Sequence, residues 1–241
     1  MRFVPLSLLL LALFLNHGAW AAEGLPVARI DAGDRLTLAD GRVIRLEGIK
    51  APDEKDLAES ARRALEDLIG GQGVTLGLVA ADRYGRLAGE AYAASGERLQ
   101  DALTRAGWAF VYPPLGTETG LLTLLRLERE ARTARRGLWA AAAYADIAPE
   151  NAGAALGRFA FVRGTVTEAA RIKNKVYLNF GPDWRTDFTV EIAARDVRLF
   201  TKAGRDPLTL KDKTVRVRGL VQSLFGPKII VTHPAQVEVV D

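Results

Sequence analysis

Short runs of alternating apolar and polar residues dominate this chain, and helical spacing interrupts them only a few times. Leu36-Thr37-Leu38-Ala39 and Val43-Ile44-Arg45-Leu46 are strand-like runs on either side of Asp40-Gly41, and an Asp-Gly pair in that setting is a strong hairpin signal. Leu57, Ala61, Leu65 and Leu68 recur at helical spacing, with Gly70-Gly71 as the stop. Val74 to Val79 predicts another strand, a turn follows near Asp82 to Gly85, and Leu87 to Ala93 predicts the next strand. Leu99, Ala102, Leu103 and Ala106 mark a short helix stopped by Gly107. Trp108 to Tyr112 is extended, and Leu121, Leu125, Glu128, Arg132 and Arg135 run along a charged helix that Gly137 ends. Strands and helices that do not strictly alternate predict a mainly β, α+β unit: a small barrel with helices packed outside it.

The second half is strand-rich. Phe159 to Val166 predicts a strand with a bulge at Gly164, and Val176 to Gly181 pairs with Asp187 to Ile192 as a hairpin. Leu199-Phe200 sits in a short helical crossing. Val215 to Val221 and Lys228 to Thr232 form a further hairpin around Gly226-Pro227, and Val237 to Val240 adds an edge strand. Short alternating strands with a crossing segment between the third and fourth resemble a small OB-like β-barrel. Such barrels bind single strands through basic grooves and aromatic platforms, which makes Lys173, Lys175, Tyr177, Arg185, Arg216 and Arg218 candidates; a solvated basic face on a scaffold is the competing reading.

The N-terminus changes the compartment. Met1-Arg2, an apolar run from Phe3 to Leu15 and Ala19-Trp20-Ala21 make a positive n-region, a core of roughly 13 residues and an A-x-A site, the pattern of a secretory signal peptide. The run is short for a membrane span of ~20 residues, so the chain is expected to be exported, periplasmic or secreted, with no stable membrane anchor after cleavage. Cysteine is absent, which excludes disulfides and leaves core burial to hold an exported fold together. The remaining ~220 residues exceed one typical domain. The expected division is a signal peptide over 1–21, a first domain over 27–140, an Ala-rich linker over 141–155 and a second domain over 156–241. Net charge is unevenly spread: Glu150 to Asp241 holds 15 Lys/Arg against 10 Asp/Glu, while Met1 to Pro149 holds 18 against 19. The basic excess favours polyanionic partners.

Candidate chemistry is concentrated in two segments, Ile30 to Lys55 and Asp82-Arg83-Tyr84-Gly85-Arg86. Two arginines with nearby carboxylates are what a phosphodiester site requires. GDRLTLADGRVIRLEGIKAPD, then DRYGR, then LQ-x-AL-x-x-AGWA-x-VYP and EREARTARRGLW resemble, in order and at compatible spacings, the thermonuclease (staphylococcal nuclease-like) family over roughly Val27 to Trp139. The resemblance implies a five-stranded OB-type barrel with three helices, calcium-dependent phosphodiester hydrolysis in active members, and single-stranded DNA or RNA as the partner.

Residue by residue, the resemblance makes Asp34 a calcium ligand, although Ala32 and Arg35 replace two other residues of that motif. Arg45 matches the arginine that holds the phosphate, and Arg86 the one that stabilises charge developing on it. Asp53 stands in place of a glutamate general base; the arm is one methylene shorter, and a misplacement of ~1 Å can cost ~100-fold in rate. Asp53 after Pro52 is also a natural cap for the helix beyond it. Glu54, next to it, is expected to point elsewhere. Lys50 replaces the second calcium carboxylate, setting a positive charge where a dication would bind, and is expected to pair with Asp34 and Asp53 instead, which keeps a cationic pocket and makes Lys50 a substrate-binding candidate. Tyr84 and Tyr112 are candidates for stacking on a base, with rim packing as the alternative. Two functions remain open: an exported nuclease with weak or altered metal-dependent activity, and a catalytically inactive nuclease-like binding or scaffold protein of the cell envelope.

Overall fold

The computed structural model describes residues 24–81, 87–112 and 120–240, so the expected signal peptide and the Asp82 to Arg86 turn lie outside the described residues. The first half contains β1 (Val27–Ala32), β2 (Arg35–Leu38), β3 (Val43–Leu46), β4 (Ile49–Lys50), α1 (Lys55–Ile69), β5 (Thr75–Ala81), β6 (Leu87–Tyr92), α2 (Leu99–Ala106), β7 (Phe110–Val111) and α3 (Leu121–Thr133). Five strands form a sheet in the order β1-β2-β3-β6-β5, with β3 and β6 parallel, and β4 pairs with β7 apart from it. Leu25 and Val74 exchange both backbone hydrogen bonds, at 2.7 and 2.9 Å, which brings together the chain ahead of the two outer strands.

The turn and stop signals act where the sequence puts them. Gly41 takes φ +85° between β2 and β3. Gly70 ends α1 in the left-handed region, its N–H donating to the Glu66 carbonyl. Gly107 and Gly137, the stops behind α2 and ahead of the chain's next turn, meet each other: the Leu138 N–H donates to the Gly107 carbonyl at 2.8 Å, and a Cβ on either glycine would come within 2.3 Å of backbone oxygen. Asp53 is not the cap of α1. Glu54 holds that position, and its side chain makes no capping bond.

The second half contains β8 (Asp146–Ile147), β9 (Phe159–Thr165), β10 (Glu168–Ile172), β11 (Lys175–Asn179), β12 (Thr189–Ile192), α4 (Ala194–Lys202), β13 (Thr214–Leu224), β14 (Gly226–Val231) and β15 (Val237–Val239). The order is β10-β11-β12-β14-β13-β9-β8, with β15 also on β13. The path thus starts on β10 and comes back to β9, the strand just before it in the chain. Two expectations are corrected, and one strand was not anticipated. β9 pairs with β13 without a register shift, so Gly164 is no bulge; it is glycine because a Cβ there would sit 2.3 Å from the Pro149 ring. The β13–β14 hairpin turns on Phe225, not on Gly226-Pro227, which belong to β14. β10 was missed because Glu-Ala-Ala-Arg-Ile alternates weakly; it is fixed by the two-residue turn Lys173-Asn174, both at positive φ.

The segment 141–155, expected as a linker, carries short 3-10 turns at Ala142–Tyr144 and Pro149–Ala155 and the strand β8, which runs parallel to β9. Ala152 and Ala155 join the second core, and Tyr144 enters an aromatic cluster shared by both halves. Phe110, Trp139 and Tyr144 meet Phe161 there, and Phe110 stacks on Phe159 at 4.5 Å. Beside it, Arg218 donates to Glu128 at 2.7 Å, with both side chains buried. Glu128 also accepts the Val111 N–H at 2.6 Å. Arg216 makes two bonds of 2.6 Å to Asp146 and a third to Glu238, which Arg132 also reaches. Arg216 and Arg218 are therefore corrected from strand-binding candidates to structural groups: Arg218 fastens the halves together, and Arg216 ties β13 to β8 and β15 within the second half. Carboxylates brought from distant sequence face them, and no local pattern announces that.

Candidate functional site

A cleft of about 820 Å³ opens along the seam between the halves. Its first wall comes from the β1–β2 turn, β3, and the segment Lys50 to Glu54. Gly33 makes this wall: a Cβ there would lie 2.6 Å from the Ala61 methyl of α1 and 3.1 Å from Ala51, so only glycine lets the turn settle against the helix. Asp34 is thereby carried to Ala51, whose N–H donates to its Oδ2 at 3.2 Å. In β3 the core takes Ile44 and Leu46, and the two-residue period turns Arg45 to the cleft. Arg45 lies in register with Arg35 of β2 and Ala88 of β6, and all three line the cleft.

Lys50 is also on this wall. Its Nζ stands 2.5 Å from Asp53 Oδ2 and 5.9 Å from the centre of the buried Phe110 ring. The Lys50 side chain is 28% exposed and that of Asp53 is 72% exposed. The expected pairing thus forms with Asp53, while the recorded bond of Asp34 is to the Ala51 amide. Among the described residues, no cluster of three or more His, Cys, Asp or Glu side chains is arranged as a metal site.

Sequence reasoning missed two groups here. Glu54 lines the same cleft as Asp53, and its Oε2 is buried with no hydrogen-bond partner among the described residues. Tyr144, from the presumed linker, accepts the Asp53 N–H at 3.1 Å. Burial, reinforced by a hydrogen bond to Glu54, pushes the Tyr144 hydroxyl well above its usual range and keeps it neutral. The second half supplies the opposite wall, with Arg158 and Phe159 at the start of β9 and Leu220 of β13. Tyr112 is exposed at the cleft edge, 5.7 Å from Phe159 ring to ring. No sequence signal tied residues near 158 and 220 to residues near 45, because only the docking of the halves joins them. Arg86 and Tyr84 lie outside the described residues; Leu87 and Ala88, which follow directly, line the cleft.

The remaining second-half candidates are not in the cleft. Lys173 is in the β10–β11 turn. Lys175 pairs with Glu191 at 2.6 Å, Arg185 stacks over Trp184 at 4.7 Å, and Tyr177 lines a separate recess.

The cleft therefore gathers four cationic and three carboxylate side chains around one open space: Arg35, Arg45, Lys50 and Arg158 with Asp34, Asp53 and Glu54. Such a mixture suits a phosphodiester anion beside a proton-accepting group. The sequence comparisons agree. Residues 43–141 match the family described as "Staphylococcal nuclease homologue". An "Uncharacterized endonuclease" of Escherichia coli is 37% identical over 117 residues, covering 47% of this chain and 74% of that protein. "Protein ParB" of Escherichia coli is 32% identical over 142 residues, covering 54% of this chain and 80% of that protein. The "Probable staphylococcal-like nuclease CAN2" of Oryza sativa subsp. japonica is 35% identical over 112 residues, covering 46% of this chain and 29% of that protein. With the ordered motifs, the cleft and two relatives matched over most of their own length, the chain belongs to the staphylococcal nuclease family.

Proposed function

We propose that this protein is a nuclease of that family that holds a single strand of DNA or RNA in the cleft, with its calcium-dependent turnover low or absent. The observation that carries the reading is the Lys50–Asp53 pair at 2.5 Å in the same cleft as Arg45. Arg45 offers a guanidinium fork to two phosphate oxygens. Arg86, from the family resemblance, supplies a second. Asp53 is the proton acceptor for an attacking water, and Lys50 sets its orientation. Phe159, Leu220 and Arg158 narrow the cleft from the other side, and Tyr112 at its edge offers a ring face to a base.

The residues present do not fit an ordinary calcium centre. Calcium prefers six to eight oxygen ligands, mostly carboxylates, whereas here Lys50 replaces one and Ala32 another. At ~4 Å an ammonium repels a cation by about 4 kcal/mol per unit charge at an effective dielectric of ~20.

The test is a hydrolysis assay on single-stranded DNA and RNA in calcium, magnesium, manganese or chelator. Little or no calcium-dependent cleavage is expected from the unmodified protein; strong cleavage overturns the reading of Lys50. Lys50→Asp combined with Asp53→Glu should raise calcium affinity and cleavage together. The alternative, a binding protein that does not cleave, is favoured by the same ion pair, because it occupies the carboxylate. Tight strand binding with no hydrolysis in any metal, and none gained by the double variant, would select it.

Each half is inferred to be an OB-type barrel. In both, a meander of three strands meets a later strand in parallel, β3 with β6 and β12 with β14, and a helix separates third from fourth. Export rests on the signal-like N-terminal pattern, and N-terminal sequencing of the mature protein should begin near Ala22.

A further inference from the structure

A second recess, of about 300 Å³, belongs to neither the cleft nor the interface. Its walls include Tyr177, Trp184 and Phe225, and its polar floor includes Asn179, Glu191 and Lys228. Phe225 is 76% exposed and Trp184 51% exposed, which is unusual for residues that large. Phe225 moreover sits at φ +71°, a conformation an aromatic L-residue rarely adopts. Strain and exposure at one residue point to a role outside folding.

The surroundings are built to hold these rings in place. Asp187 accepts the Asp183 N–H at 2.8 Å and closes the loop that presents Trp184. A Cβ on Gly226 would stand 2.7 Å from the Asp187 carbonyl, so glycine lets the β13–β14 tip lie down on that loop. The Phe225 and Trp184 rings then meet edge to face at 6.0 Å. On the floor Glu191 is held between Lys175, at 2.6 Å, and Lys228, at 2.7 Å. A wholly apolar occupant would cover these polar groups without bonding them, which is costly. A flat ring with a polar edge satisfies both walls and floor.

We propose that this recess stacks an unpaired base of the nucleic-acid strand whose phosphate lies in the cleft. The inference rests on the nucleic-acid reading of the cleft. Geometry links the two places: Leu220 lines the cleft, and Phe225 lies five residues on, in the turn just past the same strand, about 17 Å away at ~3.3 Å per residue. About five nucleotides at ~3.4 Å each cover that distance, so a ten-nucleotide strand reaches both places with margin, within the site size of small barrels.

The experiment measures binding of labelled single strands by the full-length protein in chelator. A ten-nucleotide strand and a dinucleotide are compared for the unmodified protein, Trp184→Ala, Phe225→Gly and Arg45→Ala. Phe225→Gly removes the ring while suiting the positive φ, so its thermal midpoint should not fall. Each aromatic variant should weaken the ten-mer about 5- to 100-fold, the loss confined to strands long enough to reach the recess. Unchanged ten-mer affinity in both aromatic variants, with Arg45→Ala still weakening it, overturns the proposal and leaves the cleft reading standing. Aromatic-peptide binding that Trp184→Ala abolishes, with the ten-mer unaffected, makes the recess a protein-docking face and likewise overturns it. No binding of any strand by the unmodified protein removes both readings.

Discussion

Two ion pairs of similar length have opposite circumstances. Lys50 and Asp53 stand 2.5 Å apart in an open cleft, and Arg218 and Glu128 stand 2.7 Å apart with exposures of only 2% and 1%. In the first, water screens both charges, so the pair contributes little to stability and either group stays available to a ligand. In the second, neither charge has water to return to, so each depends on the other and on the Val111 backbone. Charge type and distance alone do not separate an accessible pair from a structural one; burial does. The same contrast sorts the arginines on strands: Arg45 faces open space, and Arg216 faces Asp146 and Glu238.

The largest expected effect breaks the buried pair. Arg218→Ala leaves Glu128 uncompensated and should cost about 3–5 kcal/mol, read from urea unfolding. A loss under 1 kcal/mol would show that the halves are not fastened there. Because Arg218 and Phe161 rest against the first half, residues 150–241 alone should unfold more readily than the intact chain.

Next is the open side of the comparison. Arg45→Ala should lower affinity for a single strand by roughly tenfold or more, since charge-assisted bonds to phosphate are worth about 1.5–3 kcal/mol. Its unfolding midpoint should barely move. A stability loss like that of Arg218→Ala would place Arg45 among the structural arginines.

Lys50→Ala sharpens the contrast from the other direction. Stability should change by less than about 1 kcal/mol, while strand binding falls and becomes less salt-dependent.

The smallest effect is on pH. Burial pushes the Glu238 carboxyl up, but the guanidinium groups of Arg132 and Arg216 outweigh it and hold the carboxyl below 4.5. A carboxyl lowered in the folded state stabilises above its unfolded pKa, and that share is lost as pH falls through the lowered value. Unfolding followed from pH ~6 to ~3 should show Glu238→Gln less stable near pH 6 and less sensitive to acid than the unmodified protein. Parallel curves would remove Glu238 from the interface account.

Much of the fold was legible locally. The Asp40-Gly41 turn, the apolar spacing of α1 and the stops at Gly70 and Gly107 are short-range devices, and each acts within a few residues. Elements without such a signal were missed or mistaken. β10 alternates weakly, and residues 141–155 form 3-10 turns and one short strand, held by contacts with a core far away in sequence. The first wall of the cleft was legible as well, because Asp34, Arg45, Lys50 and Asp53 lie in one stretch of sequence. Glu54 was not, since the direction of a side chain at a helix start depends on the packing around Tyr144.

By itself the sequence determined the family and the strand and helix signals of the first half. Those are properties of neighbouring residues and ordered motifs. Tertiary structure decided which charges are free. It matched Arg216 and Arg218 with carboxylates more than 20 residues away and brought Arg158, Phe159 and Leu220 opposite Arg45. It also raised Trp184 and Phe225 together above a polar floor. The physical reason is that the effect of a charge or ring depends on what shares its space and on whether water reaches it, and both are set only when distant segments pack.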